Sequence, residues 1–210
     1  MLRDTKLRSD RPSPLSRFVA VMAVLLGGLM IAGLRGPAGE PQAIAADPTR
    51  PTATDKGVVR LGYVGETSAD KRSLGGSGHA VAFQRPADVK YLTAVQIYAS
   101  RYGHPEPPEE DFHAYLLDED RKLIKDVPVP YAKIERGPMR WYTFAMPTTE
   151  VPKRFYVAFS FDPHQTKGIY LGLDKEVKES HSYVGLPDEG FKPVPEKYDW
   201  MVRAYVKNVR

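Results

Sequence analysis

The stretch Tyr91–Ser100 has the sequence YLTAVQIYAS, in which both sets of alternating positions are largely apolar. Successive side chains of an extended strand point to opposite faces of its sheet. One face would carry Leu92, Ala94, Gln96 and Tyr98, and the other Thr93, Val95, Ile97 and Ala99. Because both faces are mostly apolar, we predict a central strand.

A period of two continues from Val58 to the end of the chain, with turn residues between the apolar segments. Nine further strands are predicted, at Val58–Val64, His79–Arg85, Phe112–Leu117, Lys122–Val127, Arg140–Met146, Phe155–Phe161, Gly168–Asp174, Tyr183–Leu186 and Trp200–Val206. No long window after Val58 has a helical stripe of apolar residues. The sequence therefore predicts an all-β domain, an antiparallel β-sandwich or jelly roll, whose two sheets bury apolar faces that one sheet would expose.

The charged segment Asp118–Arg121 separates two of these strands and predicts a β-hairpin. In that hairpin, the apolar positions of Phe112–Leu117 would lie opposite Leu123 and Val127.

The N-terminal residues 1–35 have the organisation of a targeting segment. Residues 18–34 (FVAVMAVLLGGLMIAGL) form an uncharged apolar helix candidate behind a tail with five basic residues, as in secretory signal peptides. This run is at the short end of the range of about 17–25 residues for a spanning helix, so Phe18–Leu34 is alternatively an uncleaved membrane anchor. Small residues at Ala43 and Ala45 predict cleavage near Ala45. In both cases the domain is exported.

Residues 36–57 are rich in Pro, Ala, Thr and Gly and have no apolar period, so they are predicted to be a flexible linker before a sandwich domain at 58–210. The chain contains no cysteine. This excludes disulfides, thiolate metal sites and a thiol nucleophile.

The formal net charge of +4 comes mainly from the N-terminal segment. Residues 1–45 hold six of the 30 basic and three of the 26 acidic side chains, which leaves 24 basic and 23 acidic residues in the remainder. These charges alternate along the chain rather than forming a basic stripe. We therefore expect no nucleic-acid partner, since phosphate binding requires a clustered positive face.

Several segments resemble a family of bacterial proteins. YLTAVQIYASRYG (91–103), EDFHAYLLDED (110–120), KRFYVAFSFDPHQTKGIYLGLD (153–174), SHSYVGLP (180–187) and DWMVRAYV (199–206) are similar to an uncharacterised exported module. That module also occurs at the C-terminal end of some relatives of M56-type membrane metallopeptidases. The closing strand resembles those of jelly-roll domains of the carbohydrate-binding type. The resemblance implies a β-sandwich, and the absence of an HExxH motif means that it implies no peptidase activity.

Histidines and acidic residues are the candidates for catalysis or metal binding. The five histidines lack the spacing of zinc sites, although strand ends could still assemble a site from His79, His113 or His181. The acidic run Glu106–Asp111 lies in a proline-rich segment and is predicted to be a solvated loop. Ser73–Gly78 lacks the Lys-Ser/Thr of a phosphate-binding loop and is predicted to be a turn.

Aromatic residues supply the predicted ligand-binding surface, because exposed rings stack on sugar faces and anchor protein partners. The predicted ligand-binding residues are Tyr102, Tyr198 and Tyr142, whereas Trp141 and Trp200 are predicted to be buried.

A structural calcium site is a further hypothesis, because hard-oxygen ligands often join the first and last strands of sandwich domains. Its ligands would be Glu66, Asp70 and Asp199, with ordinary turn carboxylates as the alternative interpretation. No other cofactor is predicted.

These observations predict an exported, non-catalytic recognition or interaction module of the cell envelope, with a protein or a glycan as partner. One alternative is a structural envelope domain. The other is a hydrolase whose site is assembled from loops distant in sequence.

Overall fold

The computed structural model describes residues 52–54 and 57–208. The predicted apolar helix and the first part of the predicted linker lie outside the described residues. The strands are β1 (Thr52–Thr54), β2 (Val58–Leu61), β3 (Asp70–Arg72), β4 (His79–Gln84), β5 (Tyr91–Gly103), β6 (Asp111–Leu117), β7 (Leu123–Pro130), β8 (Arg140–Glu150), β9 (Arg154–Ser160), β10 (Lys167–Asp174), β11 (Ser182–Leu186), β12 (Gly190–Pro193), β13 (Asp199–Trp200) and β14 (Val202–Lys207). A 3-10 turn, Tyr131–Lys133, follows β7.

The strands form two antiparallel sheets that pack as a sandwich, which confirms the predicted fold class. The eight-stranded sheet has the order β1-β2-β14-β5-β10-β13, with β3 beside β10 and β8 beside β5. The six-stranded sheet has the order β12-β11-β4-β9-β6-β7. The described residues contain no helix that is long and apolar enough to cross a membrane.

Strand β5 is central, as its sequence predicts. It pairs with β14 and β10 along one side and with β8 along the other. Its inward residues Val95, Ile97 and Ala99 are completely buried in the core between the sheets. Its outward residues include Tyr98 and Tyr102, which are half-buried. The outward aromatic residues of this sheet are therefore available to build a surface site.

The predicted strands and the hairpin are confirmed, with boundaries shifted by a few residues. The hairpin joins β6 to β7, and Ala114 lies opposite Val127. Three short strands were not predicted: β1, β3 and β12. The predicted strand Trp200–Val206 is divided into β13, which pairs with β10, and β14, which pairs with β2 and β5. Strand β1 pairs with β2, so the predicted linker 36–57 is wrong at its end, where Thr52–Thr54 joins the sheet.

Candidate functional site

The outer face of the eight-stranded sheet carries a group of aromatic side chains. Residues that are directly paired across an antiparallel ladder lie on the same face. Tyr170 pairs with Ser100, Tyr102 with Gly168, and Tyr98 with Trp141. These rings are half-buried, and they come from three neighbouring strands, β5, β8 and β10.

Tyr102 and Tyr170 are in direct contact on this face. Their ring centroids are 4.5 Å apart and their planes are inclined by 35°. Gly168 allows Tyr102 to lie flat over β10, since a β-carbon at this position would clash with the Tyr102 ring and its hydroxyl group. The two tyrosines line an open depression of about 460 Å³, together with Lys71, Ser100, Arg101, Pro105, Arg136 and Gly137. A volume of this size suits a small ligand or one or two residues of a polymer.

The depression is electropositive. Lys71, Arg101 and Arg136 line it, and the described residues of its lining include no carboxylate. The Lys71 ammonium lies 4.7 Å from the centroid of the Tyr170 ring, which is a cation-π contact. Lys71 and Arg136 are exposed, whereas Arg101 is buried.

Arg101 fixes the loop that forms one wall of the depression. Its two terminal nitrogens donate hydrogen bonds to the backbone carbonyl oxygens of His104 and Pro105, both at 2.6 Å, and of Glu106 at 3.3 Å. Its backbone N–H also donates to the carbonyl oxygen of Glu135. The guanidinium thus holds Pro105 in place beside Tyr102.

Other surface depressions of the described chain are chemically different. One of about 510 Å³ is lined by prolines and by the acidic residues of Glu106–Asp111, and another of about 550 Å³ lies beside Gly190–Pro193. Neither has an aromatic side chain in its lining. The depression at Tyr102 and Tyr170 therefore has both aromatic rings and cationic side chains in its lining, whereas the other two depressions have no aromatic ring.

Trp141 is half-buried on the outer face, so the prediction that it belongs to the core is wrong. Its indole N–H donates to the carbonyl oxygen of Glu66 at 3.0 Å, and the Arg203 guanidinium lies 3.8 Å from its ring centroid. Arg203 also binds both carboxylate oxygens of Glu66, at 2.8 and 3.3 Å. These contacts attach the loop after β2 to the sheet.

Asp199 is the centre of a buried polar cluster. Its carboxylate accepts hydrogen bonds from the Ser182 hydroxyl at 2.7 Å and from the backbone N–H of His181 at 2.6 Å, and it lies 3.2 Å from His181 Nδ1. The His181 ring stacks on Tyr63 with centroids 3.6 Å apart, and burial raises the pKa of Tyr63 to about 12.

This cluster does not have the geometry of a catalytic triad. A triad needs a serine hydroxyl that gives its proton to the histidine. Here the Ser182 hydroxyl binds Asp199 and accepts from the backbone N–H of Trp200, while the Ser180 hydroxyl lies 2.6 Å from the Tyr198 carbonyl oxygen. The described residues near His181 therefore provide no nucleophile, and the cluster joins β11 to β13.

His79 and His113 lie in different environments. His79 is completely buried between Phe161 and Trp200, and burial lowers its pKa to about 3. The backbone of Arg72 and Phe159 opposes this shift only in part, since neither ring nitrogen makes a hydrogen bond of normal geometry. His113 is half-buried, and its Nδ1 lies 2.7 Å from the Asp126 carboxylate. The structure does not bring His79, His113 and His181 into one site.

The acidic run was predicted to be a solvated loop, but Glu110 anchors it. The buried ammonium of Lys167 lies 2.7 Å from Glu110 and 3.3 Å from Asp162. Burial opposes the charge of Lys167, but these hydrogen bonds outweigh it and raise the pKa of the lysine. Sequence patterning did not identify this ion cluster because its members belong to separate loops and strands.

Two of the three predicted ligand-binding tyrosines are not on the accessible face. Tyr198 is only 2% exposed and packs against Trp200 in the core, so its prediction as an accessible residue is wrong. Tyr142 lies opposite the buried Ile97 and packs on the core side of β8. Of the predicted residues, Tyr102 alone lies at the depression, with Tyr170 as the partner that was not predicted as a site residue.

The predicted calcium ligands do not converge. Glu66 binds Arg203, Asp70 binds Lys175 at 3.2 Å, and Asp199 binds the segment around Ser182. Among residues 57–208 no three His, Asp or Glu side chains are grouped closely enough to hold a metal ion. The structure therefore does not bring these three carboxylates together.

No family model matches the sequence, and no curated protein matches it. The chain is similar to the solved structure of a clostridial cysteine protease, a point variant of Cwp84 after propeptide cleavage, with a TM-score of 0.53, 12% identity, and coverage of 75% of this chain and 42% of that one. A structure of the cysteine protease and lectin-like domains of Cwp84, a surface layer associated protein of Clostridium difficile, matches with a TM-score of 0.49, 14% identity, and coverage of 75% and 37%.

At these identities the first similarity shows a shared β-sandwich fold and nothing further. The chain spans about two-fifths of the length of the solved chains that it matches. Neither match has a link to M56-type metallopeptidases, so the resemblance to modules of those proteins stays a prediction.

Proposed function

We propose that this chain is an exported, non-catalytic recognition module of the cell envelope that binds a saccharide on the surface formed by the Tyr102 and Tyr170 rings. The observation that carries the proposal is the pair of half-buried rings, 4.5 Å apart, at an open depression of about 460 Å³. Export rests on the basic tail and the apolar segment Phe18–Leu34.

The chemistry of the depression fits a sugar ring. The C–H face of a sugar is apolar and packs on an aromatic ring, while its hydroxyl groups need polar partners at the edge. The tyrosine rings offer apolar faces, and their hydroxyls, with Ser100, offer hydrogen-bonding groups. The Tyr102 hydroxyl lies 3.4 Å from the Ser73 hydroxyl, which extends the polar edge.

A saccharide fits better than a folded protein partner. A stable protein interface buries roughly 800 Å² on each partner and is usually centred on apolar anchors. On the described surface the large apolar side chains are nearly all buried, and Leu123, at 53% exposure, lies on β7 of the other sheet. The Tyr102 depression therefore offers two aromatic rings without a wider apolar surface around them.

Replacing Tyr102 with alanine should weaken saccharide binding by ~1–2 kcal/mol, or about 5- to 30-fold in Kd, as expected for an accessible aromatic anchor. Binding would be measured by affinity electrophoresis in gels that contain β-glucan, xylan, mannan, galactan or polygalacturonate. Tyr170→Ala should behave in the same way, and Gly168→Ala should weaken binding by displacing the Tyr102 ring.

Tyr205→Ala is the matched control, because Tyr205 is a half-buried tyrosine of the same sheet face whose hydroxyl donates to Gln96, away from the depression. Its binding should equal that of the unmodified chain. If Tyr205→Ala lost as much affinity as Tyr102→Ala, or if neither the five polysaccharides nor dextran sulfate retarded the protein, the proposed site would be wrong.

The purified protein should not turn over generic ester, peptide or glycoside substrates above the uncatalysed rate, because neither Ser180 nor Ser182 gives its proton to His181. The assays would compare the unmodified chain with His181→Ala and His113→Ala. If the protein turned over a substrate and either substitution abolished that activity, the protein would be a hydrolase and not a non-catalytic recognition module.

A further inference from the structure

We propose that the saccharide bound on the surface of Tyr102 and Tyr170 is acidic, with a carboxylate, sulfate or phosphate group held by Lys71 and Arg136. This inference rests on the proposed function and adds the chemical class of the ligand. The evidence for it is the set of positive charges around the depression, which is independent of the aromatic rings.

Lys71 and Arg136 differ from the other cations of this region. Arg72 is paired with Glu196 at 2.9 Å, Arg140 with Glu135 at 2.7 Å, and Lys175 with Asp70 at 3.2 Å. Within residues 57–208, neither Lys71 nor Arg136 has a carboxylate at ion-pair distance. Lys71 and Arg136 are therefore the exposed cations of the depression that can pair with an acidic group of a ligand.

The two cations are placed on either side of the tyrosines. Lys71 lies on β3, beyond β10, with its ammonium over the face of Tyr170. Arg136 lies on the opposite side of β5, where it forms a parallel bridge with Arg101. A sugar stacked on the face of Tyr102 that points away from Gly168 would therefore have one cation on each side. The planar guanidinium of Arg136 can bind a carboxylate or a phosphate through two parallel hydrogen bonds.

Arg101 adds a permanent positive charge below the depression. Its terminal nitrogens bind backbone carbonyls, which carry no net charge, and its Nε has no hydrogen-bond partner among the described residues. Because Arg101 is buried, its charge is screened by salt less than that of an exposed residue. The three cations favour a negatively charged ligand over a neutral one.

The test compares acidic polymers with neutral counterparts of the same backbone. The full-length protein would be titrated with polygalacturonate and with the same polymer after reduction of its carboxyl groups, and with dextran sulfate and dextran. We expect one acidic polymer to bind at least about tenfold more tightly than its neutral counterpart. Raising the salt from about 0.05 M to about 0.5 M should weaken that binding, since the cations are largely exposed.

The double variant Lys71→Gln/Arg136→Gln should lose about three- to tenfold in affinity for the acidic polymer. Its affinity for the neutral polymer should not change. Lys125→Gln/Lys192→Gln is the matched control, since it removes the same charge from exposed positions on the six-stranded sheet. The control should bind like the unmodified chain.

Equal or tighter binding of the neutral polymers would contradict the proposal of an acidic ligand, but it would still support the saccharide site. An equal loss of affinity in both double variants would also overturn it, because the attraction would then be non-specific. If no polymer bound, the proposed function and this inference would both be wrong.

Discussion

Replacing Trp200 with alanine is expected to lower the free energy of unfolding by ~3–5 kcal/mol, the range for truncation of a buried aromatic side chain. Trp200 is completely buried, as its sequence predicts. Its ring packs against His79 at a centroid distance of 4.6 Å and against Tyr198 at 4.9 Å. Its indole N–H donates to the Tyr183 carbonyl oxygen at 3.1 Å, so truncation leaves both a cavity and an unpaired acceptor.

Urea denaturation followed by far-ultraviolet circular dichroism would measure this loss. Trp200→Phe retains most of the ring volume and should cost clearly less. Trp141→Ala provides a second comparison, because Trp141 is half-buried on the outer face. If Trp141→Ala were as destabilising as Trp200→Ala, the assignment of Trp200 to the core and Trp141 to the outer face would be contradicted.

Acidification should unfold the protein partly through His79. Burial lowers the pKa of His79 to about 3 in the folded protein, compared with 6.5 in the unfolded chain. Below pH 6.5 the unfolded state therefore binds a proton that the folded state does not. Stability falls as the pH decreases from 6.5 towards 3, and this residue accounts for roughly 2–3 kcal/mol between pH 6 and pH 4.

His79→Leu should remove this contribution, so that the free energy of unfolding changes less between pH 6 and pH 4 than in the unmodified protein. The leucine also removes two buried ring nitrogens without hydrogen bonds, so it should not destabilise the protein at pH 7 by more than its imperfect packing costs. His104→Gln, at an exposed position, is the comparison. Equal pH dependence in all three proteins would contradict a buried neutral His79.

The sequence predicted the strands well where apolar residues alternate, and less well where pairing alone defines the strand. Tyr91–Ser100 alternates, and it is the central strand β5. Asp70–Arg72 has no apolar residue, yet it pairs with Leu171–Leu173 of β10. That strand forms because the edge of β10 offers unpaired backbone N–H and C=O groups. Such pairing cannot be predicted from the alternation of apolar and polar residues.

The site was harder to predict than the fold, because it depends on register between distant strands. Tyr102 was identified, but Tyr170 joins it only because β10 places Gly168 opposite Tyr102. Tyr198 precedes a strand and was expected to face solvent, but its ring packs on Trp200 and its other side is covered by Arg72. The residue types of such a site can be read from the sequence, but the face of the sheet on which each side chain lies cannot.

The hydrogen bonds from Arg101 to the loop His104–Glu106 should lower the entropic cost of ligand binding. Ordering a flexible backbone costs ~1–2 kcal/mol per residue in conformational entropy, which an unformed binding loop would lose at the moment of association. Here hydrogen bonds to three consecutive carbonyl groups restrict the loop at folding. The wall of the depression is thus preorganised, and we expect a ligand to meet it without induced fit.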